Sequence, residues 1–157
     1  MKVEILDNTK KKKILHLLEE DYGIENIPML LIKTSKDKIR AYSGDLSREE
    51  LNDIAKNMHI ELIGTQLCTL VDNDQHVRLN FDVMNLPVLK AQISKNILEI
   101  NEKQKIDLLN GKNLEMPSPF KSPFLVLKLE NDFFGIAKNR DSFLQNYLPK
   151  EKRMKVN

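Results

Sequence analysis

The sequence predicts an α+β chain of two modules: a mixed α/β module over residues 1–90, then a small β-barrel or curled sheet over residues 91–157. Three observations lead there. Two amphipathic helical segments are interleaved with short alternating strands in the first half. After Pro87 come several short strands with one short helix and no second long one. The charge balance also changes sign: residues 1–88 carry 12 basic and 15 acidic side chains, whereas residues 89–157 carry 13 basic and 8 acidic ones.

Val3 and Ile5 predict a short opening strand. Asn8 or Thr9 is placed to cap a helix whose apolar face is Ile14, Leu15, Leu17 and Leu18, and Gly23 stops it because glycine accepts the left-handed conformation beyond a last helical turn. Met29 to Ile32 reads as a buried strand and Lys38 to Tyr42 as its alternating partner, with turn chemistry at Thr34-Ser35-Lys36-Asp37. Ser47-Arg48-Glu49-Glu50 is a capping box that opens a second helix with a stripe of Leu51, Ile54, Ala55 and Met58. Strands are expected at Ile60–Ile63 and Gln66–Val71. A turn at Asp72 to Gln75 then leads to a return strand through Val77, Leu79 and Phe81.

Asn85 to Leu89 is a junction, because Pro87 interrupts both helical and strand patterns. A strand over Ser94–Ile100 precedes a short helix, Glu102–Leu109, with Ile106 and Leu109 expected to face inward and Asn110-Gly111 to end it. The three prolines of Met116–Pro123 dictate an extended loop. Phe124–Leu129 and Phe133–Ala137 pair as a hairpin across Glu130-Asn131-Asp132, and Phe143–Leu148 is the last strand.

Several function classes are excluded or unsupported. No apolar run approaches the roughly 20 residues of a membrane span, and Met1-Lys2-Val3-Glu4-Ile5 has an acid where a secretion signal would be apolar. The single cysteine, Cys68, rules out an internal disulfide framework, so a soluble, cytoplasmic protein is expected. Cys68 lies in an apolar strand with no histidine nearby in sequence, which reads as a structural thiol. Five scattered glycines form neither a Walker loop nor a dinucleotide fingerprint, and no cofactor is expected. His16 with Glu19 and Glu20 makes a poor metal site. Asp72-Asn73-Asp74 fails as a calcium loop because His76 stands where the third acid belongs.

The charged candidates are therefore binding groups. Lys10 to Lys13 sit at a helix N-terminus, where cations oppose the macrodipole; they read as a phosphate contact or as a solvated first turn. Near the C-terminus, Lys138, Arg140, Lys150, Lys152 and Arg153 flank one expected strand, and Lys155 follows. Asn146 and Tyr147 lie among them as weaker candidates for base contact. Cations mixed with amide and aromatic groups suit RNA, whose backbone takes the charge while its unpaired bases stack.

The C-terminal stretch resembles a PUA domain. The resemblance runs through Ser94 to Ile100, through Lys105 to Lys112 with its closing glycine, and through Phe133-Phe134-Gly135-Ile136-Ala137-Lys138. Asn139-Arg140-Asp141 and Leu144 to Arg153 are similar to the end of PUA domains attached to Sun/Fmu-type RNA cytosine-5 methyltransferases. Lys36 to Arg40 and Ser43 to Ser47, with the spacing to the second half, fit short archaeal proteins that keep only a pre-PUA module and a PUA domain and are classed with ribosome biogenesis factors. The resemblance implies a pre-PUA module followed by a PUA-like barrel, with structured rRNA or tRNA as partner, in ribosome biogenesis or RNA modification. Lys95 and Lys112, expected on the neighbouring helix edge, join the RNA-binding candidates. The methyltransferase domain and its catalytic cysteines have no counterpart here, so no enzymatic activity is expected. The other reading is a protein–protein adaptor that supplies a module in trans to an RNA-modifying enzyme or assembly factor.

Overall fold

A computed structural model describes residues 2–154. The chain divides into two compact units between Val83 and Met84, upstream of the boundary at residue 90 drawn from sequence. The segment after Met84 belongs to the second unit for a visible reason. The Asn85 amide bonds both the N–H and the C=O of Phe133 (2.9 and 2.7 Å), and Lys90 pairs with Asp132 at 2.6 Å.

In the N-terminal unit, strands β1 (Glu4–Ile5), β2 (Leu30–Lys33), β3 (Lys38–Tyr42), β4 (Thr65–Val71) and β5 (His76–Leu79) form an antiparallel sheet in chain order. Helix α1 (Asn8–Tyr22) packs near β5: Tyr22 is fully buried and donates to Val77 O at 2.5 Å, and the Asp21 carboxylate receives the Val77 N–H and meets His76 Nδ1, each at 2.9 Å. The cap of α1 is Asp7, whose carboxylate accepts from Lys10 N, rather than Asn8 or Thr9. Gly23 ends the helix at φ 82° as expected. The capping box at Ser47 and Glu50 opens α2 (Arg48–Asn57), whose Leu51 packs with Ile5 and Ile32. Met58 leaves the expected stripe and is exposed.

Ile60–Ile63 is not a strand. The Arg40 side chain takes the carbonyls of Ile63 and Gly64 (2.5 and 2.6 Å), leaving Leu62 74% exposed. Phe81, expected in the return strand, begins a short 3-10 turn instead.

In the C-terminal unit Pro87 is no mere breaker: it starts a single helical turn, α3 (Pro87–Lys90), at a position where its missing N–H costs nothing. Strand β6 (Ile97–Glu99) runs parallel to β7 (Phe124–Leu129). The β7–β8 hairpin to β8 (Asp132–Asn139) and the pairing of β8 with β9 (Leu144–Asn146) are antiparallel. A bridge from Leu114 to Leu144 continues the sheet beyond β9. Leu125 and Leu127 of β7, Ala137, Leu144 and Leu114 form its core with Leu108 of helix α4 (Glu102–Leu109). The inward residue of α4 is Leu108, 1% exposed, while Ile106 is 49% exposed and Leu109 half-buried. Residues two apart on a helix point to nearly opposite sides, so docking through Leu108 turns Ile106 to solvent.

Candidate nucleic-acid interface

The basic candidates of the C-terminal unit fall into two neighbourhoods, each set by strand register. Phe124 on β7 stands opposite Lys138 on β8, and Lys138 opposite Gln145 on β9. The Lys138 ammonium lies 5.8 Å from the Phe124 ring centroid, and the Tyr147 ring meets Phe124 edge-on at 5.5 Å. Arg140, exposed just past β8, is oriented by a 2.8 Å bond from Nε to the Gln145 side chain. Lys95 is exposed in the bend that leads into β6, where Asn96 O accepts from Val126 N at 2.9 Å. Three sequence-predicted cations thus share the end of the sheet at which β7 begins, with the half-buried Tyr147 beside them. Sequence reasoning missed Gln145 and Phe124 as members. Alternation along β9 was the available signal for Gln145, since Leu144 and Asn146 are buried.

The second neighbourhood surrounds the end of α4. Gly111 (φ 80°) turns the chain out of the helix, and the guanidinium of Arg153 stands 3.6 Å from where a side chain would begin there. Lys112 follows, exposed, with Asp107 at 3.9 Å, too far for a strong pair. Lys150 and Lys152 are exposed on a 3-10 turn (Lys150–Lys152) that returns to α4, where Met154 N donates to Leu109 O at 2.7 Å. Lys155 lies outside the described residues. A cleft of about 730 Å³ opens alongside, lined by Lys103 and Lys112, by the acids Asp107 and Glu115, and by Asn113 and Met116.

Two candidates turn inward. Asn146 is 7% exposed, and its amide donates to Leu108 O (2.8 Å) and Lys112 O (3.1 Å) while its oxygen accepts from Leu148 N (2.8 Å). Both of its amide N–H donors are used in tying β9 to the end of α4, and its oxygen holds the Leu148 N–H, so it holds the domain together instead of reading a base. Arg153 is half-buried and turns inward, its Nε donating to Leu148 O at 3.0 Å.

Burial pushes the Cys68 thiol up to about 12, far from a reactive thiolate. Among the described residues no three of His, Cys, Asp and Glu come together to hold a metal ion, and no helix is long and apolar enough to cross a membrane.

A four-stranded mixed sheet with the short helices α3 and α4, and exposed cations at a strand end and at a helix end, make up the C-terminal unit. Its kind is given by sequence comparison: residues 95–154 match the family model for the PUA domain of the methyltransferase RsmF. The chain therefore carries a C-terminal PUA domain of the Sun/Fmu methyltransferase type within an α+β fold, and PUA domains generally bind RNA. No curated protein matches the chain.

Proposed function

We propose that this protein is a non-catalytic, cytoplasmic RNA-binding protein that holds structured rRNA or tRNA in ribosome biogenesis or RNA modification. The observation that carries the reading is the exposure of Lys112 at the end of α4 and of Lys150 and Lys152 on the 3-10 turn that Met154 N ties to Leu109 O, all inside the segment that matches the PUA model. Lysines in such a place act as point charges on phosphates, and the concave surface beside Lys112 accommodates a nucleotide edge. Gel-shift titration with bulk tRNA and rRNA fragments across a salt series tests the reading. Binding should weaken with salt, and Lys112→Gln, Lys150→Gln and Lys152→Gln together should lower the log–log slope by roughly 2 to 3. Absence of binding at low salt would exclude it.

A second reading, a protein–protein adaptor supplying a module in trans, is favoured by the apolar exposure of the N-terminal unit. Met58 and Leu62 are 66% and 74% exposed, with Leu46 at 38%. A protein partner recovered without RNA would support it.

A further inference from the structure

The N-terminal unit is acidic in sum, yet its cations are gathered in one place. Two hollows of about 330 and 340 Å³ adjoin and share Glu4 and Lys33. Lys10 and Lys13 of α1 stand on the rim of the first, above a floor that includes the buried Ile14 and Ile39. Lys2 and Lys36 line the second. The acids opposing them are few: Glu4 is held in an ion pair with Lys10, and Asp74 reaches the first rim from the β4–β5 turn. Among the described residues, no ion pair joins Lys2, Lys13, Lys33 or Lys36 to a carboxylate.

Helix stability does not explain this charge. Beyond the capping Asp7, α1 has no acid in its first turn and no base in its last, with Lys10 to Lys13 near its start and Glu19 and Glu20 near its end. Both ends oppose the macrodipole. Only two of the four lysines have an internal task. Lys10 pairs with Glu4, and Lys11 donates to Met29 O at 2.8 Å, with burial lowering its pKa. Lysines from α1, β2 and the β2–β3 turn nevertheless converge on these adjoining hollows, and the apolar wall of the first, Leu6, Ile14, Leu17, Ile39 and Leu70, concentrates a positive potential that a flat surface would disperse.

We propose that these hollows form a second RNA contact, in which Lys2, Lys13, Lys33 and Lys36 of the N-terminal unit take phosphates of the RNA backbone. The inference rests on the RNA-binding reading and extends it to the module that composition sets apart as acidic. The lining contains no arginine, aromatic ring or Asn/Gln amide. It lacks the groups that read or stack bases, so this contact adds affinity without sequence choice.

The test uses the full chain, a labelled poly(U) oligonucleotide and a polyglutamate peptide. Lys13→Gln, Lys33→Gln and Lys36→Gln are combined, leaving the Glu4–Lys10 pair intact. The salt slope for poly(U) should fall by about 2, at roughly 0.7 per lost contact. In wild-type protein, poly(U) should shield Lys13, Lys33 and Lys36 from amine acylation and leave Lys56 of α2 unprotected. Wild-type binding with an unchanged slope and no shielding would overturn this inference and leave the proposed function standing. Failure of the wild type to bind any RNA would overturn the proposed function itself. Shielding of these lysines by polyglutamate but not by poly(U) would overturn the RNA assignment in favour of an acidic protein segment.

Discussion

Replacing Asn146 with alanine removes three hydrogen bonds in one step and separates a structural role from a ligand-reading one. The partners are unequal. Leu108 O and Leu148 N belong to residues 1% and 4% exposed, whereas Lys112 O belongs to an exposed residue and can turn to water. Leu108 O keeps the Gly111 N–H at 3.0 Å, so the group left without a partner is the Leu148 N–H, and one such buried group costs about 1–3 kcal/mol, which is the loss expected for the substitution. A unit that starts at Met84 has a total stability on the order of 4–11 kcal/mol, and the loss is therefore a sizeable part of it. Asn146→Asp should be at least as damaging. It keeps an acceptor for Leu148 N but turns lone pairs toward two carbonyl oxygens. Urea unfolding followed through the amide signals of β7 and β8 isolates the C-terminal unit from the other. RNA affinity of the folded fraction is measured alongside. A stability change under about 0.5 kcal/mol, within the usual range for surface changes, together with a tenfold loss of RNA affinity, would refute the reasoning and return Asn146 to the binding surface.

Two further predictions concern helix placement. Leu108→Ala should cost about 2–5 kcal/mol and Ile106→Ala less than about 0.5 kcal/mol in the same unfolding assay, because only Leu108 enters the core. In the N-terminal unit Ser47→Ala should cost about 1 kcal/mol by removing a helix cap. Hydrogen bonds from the Ser47 backbone and side chain hold the Glu50 carboxyl below its ordinary value of 4.5. A depressed carboxyl stabilises the fold above its unfolded pKa, and that contribution fades as pH falls through the folded one. Glu50→Gln should therefore flatten part of the stability loss below about pH 4.5, read from thermal midpoints across pH 3 to 7.

What the sequence made legible was local. The capping box at Ser47 and the stop at Gly23 depend on residues within one turn, and both formed where their spacing placed them. The hairpin of β7 and β8 was readable for the same reason. Apart from the cap of α1 and the turn at Pro87, errors arose where a distant partner decides. Ile60–Ile63 has the composition of a strand, but Arg40, more than twenty residues earlier, captures the Ile63 and Gly64 carbonyls. Ile106 and Leu108 are both good core residues, and the docking of α4 on β7 and β9 chooses between them. Asn146 carried a surface residue type, and its buried partner Leu108 O lies 38 positions away. For the candidate site, residue type pointed to the cations, whereas the direction of Arg153 required the fold.

The final turn of the chain shows why likeness to a family and contact with a ligand are different properties of one segment. Asn146 and Arg153 both bond to the backbone around Leu148, and Met154 N closes the turn on Leu109 O. Leu148, 4% exposed, is thereby fixed against the sheet. With its ends tied, the intervening 3-10 turn has no choice but to project Lys150 and Lys152 outward. The tying residues resist substitution because buried polar groups depend on them, and the projected lysines tolerate any long cation, since a phosphate senses charge and reach. Lys150→Arg should therefore preserve RNA affinity where Arg153→Lys, which cannot reproduce the planar fork at Leu148 O, should loosen the turn. The same logic separates the two lysine sets of the molecule. Around α4 the cations are aimed by a folded lock of hydrogen bonds, while in the N-terminal hollows they are gathered by the rims alone, and a contact of the second kind adds strength without orientation.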